Sequence, residues 1–92
     1  MEHVEGKNNN KKVFMYALST CIWCKKTKQM LRDLSVDFTF EDVDNLTGEP
    51  EKKAIDDIVK RTGKELYPTV IIDDKTAISG YKPDEVKKAL GL

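Results

Sequence analysis

The sequence lacks the features that mark several large classes of protein. Its longest apolar runs, such as Val70-Ile71-Ile72, are only a few residues long, so no segment is expected to span a bilayer as a helix. The 16 Lys and Arg residues balance 16 Asp and Glu residues, so the basic excess typical of nucleic-acid or acidic-membrane binding is missing. Residues 1–12 contain no apolar core of the kind found in a secretory signal.

Cysteine is scarce as well. There are only two, too few for a disulfide framework, and their close spacing is typical of a reactive pair rather than a structural staple. Together with the absence of a signal, this usage predicts a reducing cytoplasm. A length of 92 residues, 39% of them hydrophobic, predicts one domain with a single core.

The chain divides into a polar start and a patterned remainder. Residues 1–11 include Asn8-Asn9-Asn10 and have little to bury, so we expect them to form a flexible tail. The folded domain is expected to cover residues 12–92, in which no repeat or low-complexity linker is found.

The hydrophobic pattern of residues 12–92 predicts alternating strands and helices. The nearly continuous apolar run Val13–Leu18 is typical of a central strand buried on both faces. Apolar residues then recur at helical spacing in three segments, and the buried positions predicted for them are Thr27, Met30, Leu31 and Leu34; Ala54, Ile55, Ile58, Val59 and Thr62; and Val86, Ala89 and Leu90.

Three further strands are expected, at Phe38–Asp44 and in the hairpin formed by Pro68–Ile72 and Thr76–Ser79. The predicted order is therefore β-α-β-α-β-β-α. A strand, helix and strand in succession imply a right-handed crossover and a parallel first pair. The expected fold is an α/β domain with a four-stranded mixed sheet and three flanking helices.

The two cysteines, Cys21 and Cys24, lie where the first strand meets the first helix. A helix N-terminus offers unpaired N–H groups and partial positive charge, both of which favour a thiolate. Three lysines in the following turn add positive charge. We expect Cys21 to be the activated nucleophile, and Cys24, one turn inside the helix, to stay a neutral thiol until a mixed disulfide forms.

Other interpretations of the pair exist. Two inert core cysteines would not explain a position on a strand-to-helix turn. A mononuclear zinc site needs two further ligands, whereas His3 is the only histidine and no third cysteine is present. An iron–sulfur cluster shared between two subunits remains an alternative.

Pro68 is the second informative residue. It begins a predicted strand, where a proline costs no ladder hydrogen bond. On the residues alone it is either an ordinary trans proline or the second residue of a cis Tyr67–Pro68 bond, and the sequence pattern does not distinguish the two.

Taken together, these segments resemble the glutaredoxins. The resemblance covers about residues 12–91 and rests on Tyr16, on Cys21-Ile22-Trp23-Cys24, on Tyr67-Pro68-Thr69 and on Ser79-Gly80-Tyr81-Lys82-Pro83-Asp84. The last run is most similar to that of the small glutaredoxin-like redoxins that donate electrons to ribonucleotide reductase. The resemblance implies a thioredoxin-like fold, a cis Pro68 facing the thiols and a nucleophilic Cys21.

The resemblance also implies a substrate-binding groove beside the cysteines, with the Tyr67 backbone pairing with a bound disulfide substrate. The residues expected to contact substrate are Thr20, Trp23, Tyr67, Pro68, Thr69, Gly80 and Tyr81. Core packing is the alternative role for Trp23 and for Tyr81. For Thr20, capping of the first helix is favoured over a bond near the Cys21 sulfur.

Three positions depart from the glutaredoxin pattern. Leu18 stands where many members have a basic residue, Ile22 replaces the usual proline, and Ser79-Gly80 replaces a Gly-Gly pair. A basic residue at position 18 would meet a carboxylate of glutathione. We therefore expect slow turnover with glutathione and faster turnover with a protein reductase or another small thiol.

The predicted function is dithiol–disulfide exchange on protein or small-molecule disulfides, with no metal or organic cofactor. The predicted partners are a disulfide-containing protein, for which the resemblance suggests ribonucleotide reductase, and an upstream reductase or low-molecular-weight thiol. No nucleic acid or membrane is expected to bind, and the chain is expected to be a monomer. The alternatives are an iron–sulfur cluster carrier and a redox-regulated binding module.

Overall fold

The computed structural model describes residues 1–92 and contains a five-stranded mixed sheet flanked by three helices. The strands are β1 (Glu2–Val4), β2 (Val13–Ala17), β3 (Phe38–Asp42), β4 (Thr69–Ile72) and β5 (Thr76–Ser79). The helices are α1 (Ile22–Asp33), α2 (Glu49–Thr62) and α3 (Pro83–Leu90), with a short 3-10 turn at Val43–Asn45. The spatial order is β1-β3-β2-β4-β5, and only β2 and β3 run parallel. The three predicted helices, the parallel pairing of β2 with β3 and the mixed sheet are confirmed.

The predicted number of strands is wrong, because the sheet has five strands rather than four. The additional strand, β1, lies within residues 1–11, which the sequence predicted to form a flexible tail, and it pairs antiparallel with β3. The Asp37 carboxylate accepts hydrogen bonds from His3 Nε2 at 2.8 Å and from the Gly6 N–H at 3.1 Å. Val4 is the only apolar side chain that β1 turns towards the core, which explains why periodicity did not reveal the strand.

The two faces of the sheet are covered unequally. Helices α1 and α3 pack on the face that carries Met15 and Ala17, both fully buried. Helix α2 packs on the opposite face, where Phe14 and Tyr16 are only half-buried. Burial of β2 on both faces, expected from its apolar run, is therefore complete on one face only. In α2, Ala54 and Ile58 are buried as predicted, but Val59 is exposed.

The topology brings two distant segments together at one end of the sheet. The chain leaves β2 after Ala17 and enters α1 at Ile22. Because β2 and β4 are antiparallel with Tyr16 opposite Thr69, Tyr67 and Pro68 lie alongside the residues that follow Tyr16. None of the three helices has both the length and the apolar character needed to cross a membrane.

Candidate active site

Cys21 is the N-cap residue of α1. Its backbone is extended (φ −84°, ψ 119°), and its sulfur accepts a hydrogen bond from the Cys24 N–H at 3.2 Å. A sulfur in this position lies at the positive end of the helix dipole and accepts from an N–H group that has no partner within the helix. The cysteine therefore supplies the cap predicted for Thr20. Thr20 is exposed.

Cys24 lies in a very different environment although it is only one helical turn away. Its exposed fraction is 0%, and it packs among the core side chains of the sheet. Burial, together with the hydrogen bond to Cys21, raises the pKa of the Cys24 thiol to about 12. Cys24 is thus a protonated thiol at neutral pH, while Cys21 is half-buried and both sulfurs are free.

A groove of about 310 Å³ is lined by Trp23, Leu66, Tyr67, Gly80 and Tyr81. The rings of Trp23 and Tyr81 are 5.1 Å apart between centroids, and the Lys26 ammonium lies 4.9 Å from the Trp23 ring. Trp23 is 49% exposed, so it forms a surface platform rather than part of the core. Four of the seven predicted contact residues line this groove.

Pro68 and Thr69 support the groove from beneath rather than line it. The Tyr67–Pro68 bond is cis, as the resemblance implied, and Pro68 is buried. The Gly80 N–H donates to the Pro68 carbonyl at 2.8 Å, and the Thr69 hydroxyl donates to the Leu66 carbonyl at 2.7 Å. Gly80 has a φ of 88°, a left-handed conformation that glycine adopts without a steric penalty.

Sequence reasoning missed Leu66. It precedes Tyr67 in the segment between α2 and β4, and its side chain is partly exposed. A lone leucine in a polar connecting segment was the available signal, since such a residue has no helix or strand face on which to pack.

A second cavity, of about 370 Å³, lies on the α2 face. Its polar side chains bond mainly to one another: the Tyr16 hydroxyl donates to Asp57 at 2.7 Å, and Arg61 bonds to both Asp57 and Asp74. No group of three or more His, Cys, Asp or Glu side chains is placed to hold a metal ion.

A mixed sheet with α1 and α3 on one face, α2 on the other and a cysteine pair at the start of α1 defines a thioredoxin-fold redox protein. The family model described as Glutaredoxin matches residues 13–77, and the chain therefore belongs to the glutaredoxin family. Family membership and the Cys21–Cys24 pair together indicate thiol–disulfide redox chemistry.

Three relatives illustrate the similarity. The glutaredoxin of Methanosarcina mazei is 45% identical with a TM-score of 0.91, covering 99% of this chain and 87% of that one. The methanoredoxin of Methanosarcina acetivorans is 43% identical with a TM-score of 0.86, covering 91% and 88%. An uncharacterized glutaredoxin-like 8.6 kDa protein in the rubredoxin operon of Clostridium pasteurianum is 30% identical over 76 residues, which are 83% of this chain and 93% of that protein.

Proposed function

We propose that the chain is a dithiol oxidoreductase that reduces disulfides through Cys21 and Cys24. The Cys21 thiolate attacks one sulfur of a substrate disulfide, forms a mixed disulfide and releases the other sulfur as a thiolate. Cys24 then gives up its proton and attacks the Cys21 sulfur. The Cys21–Cys24 disulfide forms, and the second substrate sulfur leaves, so that two electrons pass from the protein to the substrate.

The observation that carries this proposal is the contrast between the two sulfurs. One is half-buried and caps the helix whose first turn carries the groove residue Trp23, and the other is fully buried with a raised pKa. Nucleophilic attack needs an accessible thiolate, whereas resolution needs a thiol that stays unreactive until the mixed disulfide is next to it.

The groove favours a protein disulfide flanked by apolar or aromatic residues. Trp23, Leu66 and Tyr81 present apolar surface on its walls, and Lys26 beside Trp23 provides one cation. The exposed Thr20 precedes Cys21 and is proposed to complete the substrate site, while the buried Pro68 and Thr69 hold the groove residues Gly80 and Leu66 through hydrogen bonds. A disulfide of ribonucleotide reductase is one candidate, and a monomer acting in a reducing cytoplasm fits this role.

The electron donor is proposed to be a protein reductase or a small thiol other than glutathione. Leu18 is half-buried and packs against the apolar cluster of Val43, Ala54 and Ile58, so no cation is available there for a glutathione carboxylate. Loss of one charge-assisted hydrogen bond costs about 1.5–3 kcal/mol, or about a ten- to hundredfold weakening.

The proposed roles of the cysteines are tested by two variants. Cys21→Ser is expected to abolish disulfide exchange, and Cys24→Ser is expected to accumulate a mixed disulfide visible on a non-reducing gel. The reverse behaviour would show that the two roles are exchanged. Visible absorbance of protein purified without oxygen would favour the alternative of an iron–sulfur cluster carrier.

The proposed donor is tested with Leu18→Lys, which is expected to raise turnover with glutathione and glutathione reductase by about tenfold. Ile55→Lys is the matched control, because Ile55 packs against the same apolar cluster from α2. Efficient wild-type turnover with glutathione, unchanged in Leu18→Lys, would contradict the proposed donor.

A further inference from the structure

Lys28 and Asp42 form a shielded ion pair close to the buried cysteine. Lys28 Nζ lies 3.0 Å from Asp42 Oδ1, and each side chain is only 12% exposed. The same ammonium lies 4.0 Å from the centroid of the Phe40 ring. Removing a charge from water costs several kcal/mol even when a partner is present, so a pair in this position calls for a reason beyond surface solubility.

Both members of the pair point towards the core that holds Cys24. Lys28 follows Cys24 by one helical turn, and long side chains on a helix lean back over the preceding turn. Asp42 shares a strand face with Phe38 and Phe40, both of which belong to that core. Its strand position is opposite Ala17, which packs in the same core.

We propose that Lys28, held in place by Asp42, is a positioning residue for the resolving step and stabilises the negative charge that forms on Cys24. This inference rests on the proposed function. In that step Cys24 loses its proton, a bond forms between the Cys24 and Cys21 sulfurs, and the bond from Cys21 to the substrate sulfur breaks. The electron pair goes to the substrate sulfur, which leaves as a thiolate and takes up a proton.

The charges around Cys24 support this assignment. Burial is the largest cause that raises the pKa of Cys24, whereas a hydrogen bond with the Leu18 backbone and, more weakly, the Lys28 charge oppose the rise. The core side chains contributed by β2, β5 and α3 are apolar. The titratable and charged groups facing this region are Cys21 at the N-cap of α1, Lys28 from α1, Asp42 from β3, and Tyr67 before β4.

The test uses a symmetric aromatic disulfide that releases one coloured thiolate at each step, mixed with reduced full-length protein in a stopped-flow instrument. The first phase reports attack by Cys21, and the second reports resolution by Cys24. Wild type, Lys28→Met and Lys28→Arg are compared across a range of pH. Arg32→Met, which removes an exposed charge from the same helix, is the control.

Lys28→Met is expected to keep the first phase and to slow the second about tenfold, the equivalent of one pKa unit. The midpoint of the pH dependence of its second phase should rise by about one pH unit. Lys28→Arg should restore both the rate and the pH dependence of the second phase, and Arg32→Met should resemble wild type. Because Lys28→Met leaves Asp42 unpaired, Lys28→Met/Asp42→Asn removes both charges and should show the same slow second phase.

An unchanged second phase in the double variant would overturn the inference. So would a second phase that Lys28→Arg fails to restore, or one slowed without any displacement in pH, since either result would indicate a packing role. A first phase that persists in Cys21→Ser would contradict the proposed function itself, and this inference with it.

Discussion

Burial of Cys24 should make this thiol slow to alkylate in the folded protein. The perturbation is Cys21→Ser, which leaves Cys24 as the only cysteine. Desolvation is the largest cause of the raised pKa and survives the substitution, whereas the hydrogen bond between the two cysteines, the second cause, is altered. The slowing of alkylation calculated from the pKa of Cys24 in the wild-type protein is therefore an upper value for Cys21→Ser.

The magnitude follows from the fraction of thiolate. At pH 8, a thiol with a pKa of about 12 is ionised to about one part in ten thousand, compared with about a quarter for a free cysteine. A more basic thiolate is a better nucleophile, which recovers about 25- to 55-fold of that difference. The net expectation is alkylation slower than that of free cysteine by up to about 100-fold, to which steric protection at 0% exposure adds.

The assay is iodoacetamide labelling followed by mass spectrometry at several values of pH. The rate should still rise between pH 8 and 10, where that of free cysteine levels off, and unfolding in guanidinium should restore the free-cysteine rate. Cys24→Ser, which retains the half-buried Cys21, should react much faster. Labelling of folded Cys21→Ser at a rate within threefold of free cysteine would refute the argument from burial.

Three further predictions concern stability and binding. Because folding raises the pKa of Cys24, the protonated thiol contributes to the free energy of unfolding. This contribution is fully present below the unfolded pKa of about 8.5 and is lost as pH rises towards the folded pKa. Between pH 7.5 and 10, reduced wild type should therefore lose about 2 kcal/mol more unfolding free energy than Cys24→Ser, measured by urea titration. Trp23→Ala should raise the KM for a protein disulfide about tenfold with little change in kcat, because it removes an aromatic side chain from the wall of the groove. The control is Val59→Ala, at an exposed apolar site on α2. Equal effects of the two substitutions would contradict the proposal that the groove binds substrate. Gly6→Ala should lower the melting temperature while leaving exchange intact, because the added Cβ would clash with the Ser35 carbonyl oxygen. An unchanged melting temperature would show that the backbone shifts freely to relieve this clash.

The sequence pattern predicted those elements whose burial follows from the spacing of apolar residues within the element itself. In the helical stripe predicted for α1, Thr27 and Leu31 are buried and Met30 and Leu34 are partly buried, because the residues on one face of a helix meet the same sheet. Strand β1 escaped prediction since it is held by non-local bonds to Asp37 and by close packing at Gly6. No periodicity in a single short segment encodes such contacts.

The candidate site likewise contains some residues that the sequence predicted and others that it did not. The position of the cysteine pair at a strand-to-helix junction is visible in the sequence, and so is the likeness of Tyr67-Pro68 to a known motif. The positions of Leu66 beside the groove and of Asp42 beside Lys28 depend on segments that meet only after folding. Their side chains are ordinary residue types, so composition and spacing gave no reason to select them.

The spacing of the two cysteines links their reactivity to the contact surface. An N-cap side chain accepts a hydrogen bond from the backbone of the third helical residue, and here those two residues are Cys21 and Cys24. Each residue turns about 100° around a helix, so Cys24 faces the sheet while the intervening Ile22 and Trp23 point outward, 62% and 49% exposed. A single turn of helix thus shields one sulfur, places the other at its N-terminus and presents the residues between them to a partner. For this reason substitutions at the two intervening positions can alter partner binding while the coupling between the two cysteines is retained.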